Sequence, residues 1–293
     1  MSEGDLGPSI VRRWQLAAAL RQLREEAGLT HDQVVTALRE AGANWTRPKL
    51  SRIENREQAV KPREAEVLLD IYAVTDPEVR NRLIGLASAP RDRGWIADIR
   101  RSLPPQFHRY VDWESVVVAC RHFQTLVIPG LLQTPEYARG LISGITPELS
   151  EDEVERRVAA RMVRQQILTR ARPPQLHVIL DEGVLERPID SPRTMHKQIR
   201  RLIEAAESPS TTVQILPKSV GASPALEGPF SILTLPDPIP DMGYTEAPTG
   251  AAYLEDRDAV RDLTLRWGSL TDRAMTPDLS AAFIESAGQR LIQ

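Results

Sequence analysis

The chain has 293 residues, 41% hydrophobic and 26% charged, with a net charge of −3, the profile of a globular protein long enough for two domains. Cys120 is the single cysteine, which excludes a disulfide framework or a cysteine-based metal site within one chain and fits a reducing cytoplasm. No apolar run approaches ~20 residues, so no helical membrane span is expected, and the opening "MSEGDLGPSIVRRW" lacks the apolar stretch of a signal peptide.

Residues 1–90 are neutral, with 13 basic and 13 acidic residues, yet residues 44–63 hold six basic against two acidic. A basic stripe on a neutral segment is the footprint of phosphate contact. Five short helices are expected here. "RRWQLAAALRQLREEAG" sets Leu16, Leu20, Leu23 and Ala27 at helical spacing and stops at Gly28. Thr30 opens "THDQVVTALREAG" with Gln33 at the capping-box spacing and Val34, Val35 and Leu38 inward. Thr46 caps "RPKLSRIEN", where Pro48 is tolerated in the first turn. At about 100° per residue, Leu50 and Ile53 face one way and Ser51, Arg52 and Asn55 the other. "PREAEVLLDIYAV" is strongly apolar, and Asp76-Pro77 opens the last helix with Val79, Leu83, Ile84 and Leu86 inward.

A capped helix, a turn, and a second capped helix with a basic outer face make a helix-turn-helix pattern. Residues 13–73 resemble the helix-turn-helix domain of the Xre/Cro repressor family, through "LRQLREEAGLT", "LSRIEN" and "KPREAEVLLDIYAV". The resemblance implies a fold-supporting pair between Arg24 and Glu54. It also implies double-stranded DNA as partner, with Arg47, Lys49 and Arg52 as base readers. Thr30, His31, Thr46, Ser51, Asn55, Arg56, Lys61 and Arg63 are then the phosphate contacts. The fork of arginine suits guanine O6 and N7, which favours Arg47 and Arg52 for specificity. Two departures stand out: His31 follows Thr30 where the family usually has Gln, and the turn "EAGANW" is longer than the family's usual one.

"ASAPRDRGWIADI" has the polar, Pro/Gly-bearing texture of a connector, so the expected domains are 1–90, DNA-binding, and 91–293, a mixed α/β regulatory, sensing or dimerisation domain. The expected fold class is therefore α + α/β, a five-helix helix-turn-helix domain followed by the mixed domain. "ESVVVAC" and "FQTLVI" suggest two strands; "QLHVILD", "TTVQILP" and "FSILTL" are clearer ones, and "MGYTEAP" and "AAYLE" pair across "PTG". Helices are expected at "TPEYARGLIS", "SEDEVERRVAARMVRQQILT", "RTMHKQIRRLIEAAE", "DRDAVRDLTLRWGSLTDRA" and "PDLSAAFIESAGQRLI".

"VIPGLLQTPEYARGLI", "RQQIL", "LDEGVLERPI", "VQILP" and "YTEAPTGAAYLE" resemble the regulatory domain of the actinobacterial Scr1-like antitoxin/regulator group, over about residues 91–290. The resemblance implies a domain that senses a small-molecule effector or a partner protein. Two readings stay open: a cytoplasmic transcriptional regulator acting as a homodimer, or an antitoxin-like protein that neutralises a small co-encoded partner and autoregulates its operon.

No phosphate loop, dinucleotide fingerprint, nucleophile elbow or zincin motif occurs, and the five histidines lack ligand spacing. Neither a catalytic residue, a metal nor a cofactor is expected, and the protein is not expected to be an enzyme. His177 is expected to pack in its strand, Asp181 and Glu182 to cap, and Cys120 to be a small buried hydrophobe. The helix carrying Arg156, Arg157, Arg161 and Arg164, followed by Arg170 and Arg172, admits a second nucleic-acid surface, a solvated face paired with carboxylates of other helices, or a pocket for an anionic ligand. The balance of 24 basic to 27 acidic residues from 91 onward favours the last two.

Overall fold

The computed structural model describes residues 9–56, 58–88, 99–237, 239–247 and 250–291. The chain divides into two compact units, Met1–Arg93 and Gly94–Gln293. The boundary expected near residue 90, most of the connector around it, and the tip of the final hairpin at 248–249 lie outside the described residues.

The first unit is helical: α1 (Ser9–Glu26), α2 (His31–Glu40), α3 (Arg47–Glu54), α4 (Pro62–Ile71) and α5 (Pro77–Ser88). Local chemistry sets the ends. Gly28 at φ +68° lets the chain turn after α1, so that the Leu29 N–H reaches the Arg24 carbonyl at 3.1 Å. At the start of α2 the Gln33 N–H donates to Thr30 Oγ1 at 3.3 Å, and Gln33 Oε1 accepts the Thr30 N–H at 2.8 Å. Each helix then turns its apolar stripe inward: Leu16 and Leu20, Val34 and Leu38, Leu50 and Ile53, Leu68 and Leu69, and Leu83 share one core with Trp45 of the α2–α3 turn. Burial of each aliphatic side chain contributes about 1.5–3 kcal/mol, which is what keeps helices as short as α3 in place.

The second unit is a six-stranded sheet with helices. In chain order it comprises α6 (His108–Glu114), β1 (Ala119–Gln124), α7 (Pro135–Ile145), α8 (Glu151–Arg164), β2 (Gln175–Asp181), α9 (Gly183–Glu186), α10 (Pro192–Ala206), β3 (Thr211–Leu216), β4 (Phe230–Thr234), β5 (Met242–Ala247), β6 (Gly250–Leu254), α11 (Arg257–Arg273) and α12 (Pro277–Arg290). Strand order is β3-β2-β1-β4-β5-β6; β1, β2 and β3 run parallel, and the pairs from β1 through β4 and β5 to β6 are antiparallel. The parallel half reads as continuous apolar runs such as "HVIL" because both faces are covered. On one face α11 sets Leu263, Trp267 and Leu270 against Phe123, Ile179, Leu216, Phe230 and Ile232. Cys120 and His122 alternate to the other face of β1 and are buried there.

One expectation is corrected. "ESVVVAC" and "FQTLVI" are not two strands but the flanks of a single one, Ala119–Gln124. Glu114 ends a helix that was not foreseen, Val118 is 47% exposed after the turn, and residues 125–128 leave the sheet for the Pro129-Gly130 turn. A run of valines marks a β-prone surface without saying which of its members join a ladder.

Candidate nucleic-acid interface

Helix α3 is short and unequal-sided. The Thr46 hydroxyl accepts the Lys49 N–H at 3.4 Å, Pro48 fills the first turn, and Leu50, Ile53 and Glu54 are buried. Glu54 is the pivot. Its carboxylate accepts Arg24 Nε at 2.8 Å and Nη2 at 2.9 Å, a bidentate clamp between α1 and α3. Glu54 holds the Arg24 guanidinium above its ordinary pKa, against the opposing effect of burial. The clamp also ties down the loop between α1 and α2, since Arg24 Nη1 donates to the Leu29 carbonyl at 2.9 Å. His31 Nε2 donates to the second Glu54 oxygen at 3.0 Å, so three elements meet on one buried carboxylate.

The outer face is different. Arg47, Arg52 and Asn55 are exposed, and Ser51 is partly so. Arg47 approaches Asp32 only at 3.9 Å, with the two side chains 66% and 73% exposed, a pairing too solvated to hold the guanidinium back. Asn55 Nδ2 donates to Ser51 Oγ at 3.3 Å. Thr30, Lys61 and Arg63 stand exposed at or next to the starts of α2 and α4. The backbone N–H of Lys61 donates to Glu64 Oε2 at 2.8 Å, which leaves its ammonium out of the cap.

Three residues expected to meet DNA have partners within the unit. Lys49, expected to read bases, donates to Glu64 Oε1 at 2.6 Å and lies 4.0 Å from the centre of the Trp45 ring, so its charge is turned to α4. The cause is helical phase, since position 49 falls between the inner and outer faces of α3. His31, expected at a phosphate, has its Nε2 proton on Glu54. Arg56, also expected at a phosphate, adopts φ +67° after the helix end, and its guanidinium lies 5.3 Å from the Trp14 ring; burial, with Arg21 nearby, lowers its pKa.

Comparison with known families accounts for both units. Residues 15–83 match a family described as "Helix-turn-helix domain", and residues 107–286 match "Domain of unknown function (DUF5753)", which spans more than half of the chain. The chain belongs to the DUF5753 family. Its first unit is thus a helix-turn-helix domain, the arrangement DNA-binding regulators use. Searches of curated proteins and of solved structures find no match for the chain. Among the described residues no helix is long and apolar enough to cross a membrane, and no cluster of metal-ligating side chains occurs.

The DUF5753 domain holds the polar groups that the sequence left unplaced. Arg164 of α8 is buried and donates from Nε and Nη2 to the Glu114 carboxylate at 2.7 and 2.8 Å. Burial opposes its charge and Glu114 outweighs it, so the guanidinium stands above its ordinary pKa. Arg161, one turn earlier, donates from Nη1 to Gln133 Oε1 at 2.6 Å. Arg170 donates to the Ser115 carbonyl at 2.7 Å, closing the end of α6. The arginine-rich helix is therefore no simple solvated face. Arg161 and Arg164 continue the inward stripe of Val154 and Val158 at helical spacing, a signal that was present in the sequence. His177 bonds Gln214 and stacks edge-on to Trp267, and the Asp181 carboxylate accepts the Gly183 N–H, so both have structural partners.

Proposed function

We propose that this DUF5753 protein is a sequence-specific transcriptional regulator whose helix-turn-helix unit is of the Xre/Cro type. The observation that carries this reading is the two-sidedness of α3: Leu50, Ile53 and Glu54 are locked inward while Arg47 and Arg52 stay exposed beyond a capped first turn. In helix-turn-helix complexes the second helix of the motif enters the major groove, where an arginine fork meets guanine O6 and N7. Arg47 and Arg52 take that role; Thr30, Thr46, Ser51, Asn55, Lys61 and Arg63 line the phosphates. The buried Arg24–Glu54 clamp fixes the angle of α3 on α1, so that its outer face is presented pre-ordered.

One such unit spans too few base pairs for a specific site, so we assign the protein to a homodimer on a two-fold operator. The DUF5753 domain, with its resemblance to Scr1-like regulators, then serves as the dimerising and signal-receiving arm, and no enzymatic role is assigned to it. Binding-site selection from random duplexes with the full-length protein tests the reading. Enrichment of a two-fold motif is expected; recovery of no motif would overturn sequence-specific regulation. Co-purification of one small partner protein without motif enrichment would favour the antitoxin-like alternative.

A further inference from the structure

Arg161 lies on the inward stripe of the arginine-rich helix, yet it has no acidic partner among the described residues. Its neighbour Arg164 has a dedicated carboxylate in Glu114. Arg161 has a neutral partner, the Gln133 carbonyl at 2.6 Å, and no carboxylate within ion-pair distance among the described residues. One N–H of its five is thereby met. Glu246 of β5 is the carboxylate whose charge it feels most, yet that group accepts the Tyr244 hydroxyl at 2.5 Å instead. Burial, then the adjacent Arg164 charge, pushes the Arg161 guanidinium down to about 10, the sign of a cation without its counter-ion.

The surroundings are built rather than incidental. Gln133 is 2% exposed and is held by its own amide, which donates to the Ile128 carbonyl at 2.6 Å. Gln165 Nε2 donates to the Gly130 and Gln133 carbonyls at 2.9 and 2.7 Å, pinning the "IPGLLQ" turn against α8. Gly130 lies beside the Arg161 stem, and a Cβ there would already stand 3.7 Å from Cδ and Nε. Thus Arg161 is oriented by a hydrogen-bonded turn and itself remains partly exposed, with Nε and Nη2 bonded to no protein acceptor among the described residues.

We propose that Arg161 anchors a small-anion site in the DUF5753 domain, in which Nε and Nη2 take the two oxygens of a carboxylate or phosphate group. A planar fork with two adjacent free donors is the geometry those groups prefer. The site deepens the signal-receiving role proposed above, and its consequence for operator binding rests on that role. Anion binding itself does not, so it is measured without DNA.

The test uses full-length protein with inorganic phosphate, acetate or succinate as probe, against chloride at matched ionic strength. A saturable rise in the unfolding midpoint is expected from at least one oxyanion, with a matching shift of the Arg161 Nε–H resonance. Arg161→Met should weaken that binding by at least about tenfold, and Arg161→Lys, which keeps charge without the fork, should weaken it less. Arg200→Met, at an exposed arginine of α10, should leave it unchanged. A response confined to phosphate marks a phosphorylated ligand, and one confined to acetate or succinate marks a carboxylate. No saturable response to any probe, or an equal response in Arg161→Met, would overturn the site. If Arg161→Met fails to fold, the Nε–H resonance in wild-type protein decides, and an unmoved resonance sinks the proposal.

Discussion

Helix α3 carries Arg47 and Arg52 outward, whereas α8 turns Arg161 and Arg164 inward. Both helices are capped by a hydroxyl residue, Thr46 and Ser150, and both are rich in arginine. What separates them is the phase of arginine relative to the apolar stripe. On α3 the stripe Leu50–Ile53 ends in Glu54, which takes a cation from α1; on α8 the stripe Val154–Val158 runs on into Arg161, held by Gln133, and Arg164, which meets a carboxylate from α6. A count of basic residues therefore says little about an interface. Phase decides whether a guanidinium meets groups of its own fold or faces solvent.

The largest expected effect comes from breaking the inward pair. Glu114→Ala leaves the Arg164 charge buried without its acceptor, and a loss of about 3–5 kcal/mol in urea unfolding of the full-length protein is expected. Glu114→Leu combined with Arg164→Met should regain most of that loss, because desolvation of both charges disappears with them. A loss under ~1 kcal/mol for the single variant would show that water reaches the pair, which would remove the contrast with α3.

A second effect sharpens the same contrast by pH. His122 is buried on β1, Nδ1 bonded to Ser231 Oγ at 2.7 Å and Nε2 without a partner among the described residues. Burial lowers its pKa from 6.5 to about 4, with Glu114 opposing and Arg164 reinforcing the shift. Between those values the unfolded chain holds the proton and the folded chain does not, so stability rises with pH across that window. As pH falls from about 6.5 to about 4, roughly 3 kcal/mol is lost, at about 1.4 kcal/mol per unit. His177, also lowered by burial, adds in the same direction. Melting curves taken across the window should show a slope that His122→Leu flattens; an unchanged slope would place the proton elsewhere.

The outward arginines should behave in the opposite manner. Arg52→Ala should cost about 1–3 kcal/mol on the selected operator and little on random duplex, with unfolding changed by no more than ~0.5 kcal/mol. Gel-shift titrations on both DNAs, beside a melting curve, measure all three quantities. Arg47→Ala is expected to follow the same pattern. An equal loss on both DNAs would reassign that arginine to phosphate contact.

How much of this was visible beforehand follows the range of the interaction. Caps act over three residues, and Thr30 and Thr46 stand where spacing puts them. The strands "QLHVILD", "TTVQIL" and "FSILT" were legible because each is a short apolar run bounded by turn residues. Helix α6 was not, since no side-chain cap marks its start and the valines after it suggest strand. The Arg164–Glu114 pair spans 50 residues, and nothing local joins its members. Arg24–Glu54, 30 residues apart, is legible through family resemblance alone. Of the outer face of α3, helical phase separated Arg52 from Leu50 and Ile53; the turn of Lys49 onto Glu64 needed the position of α4.

Lys49 is the intermediate case, a cation of α3 that is held by a carboxylate as Arg164 of α8 is. Its contact with Glu64 leaves the two side chains 22% and 23% exposed, intermediate between the clamped and the free arginines. Burial pushes Glu64 up, and Lys49 with the Lys61 N–H more than compensates, so its pKa lies below the ordinary value. A pair this solvated has a coupling of about 0.5–1 kcal/mol, and a double-mutant cycle with Lys49→Met and Glu64→Gln should return a value of that size. If the lysine only seats α3 against α4, Lys49→Met should weaken operator and random duplex alike, by a small factor set by the looser helix. If the ammonium leaves Glu64 on DNA, the loss should fall on the operator and approach that of Arg52→Ala. The geometry favours the first result, because leaving Glu64 would also uncover the Trp45 face that Lys49 covers at 4.0 Å.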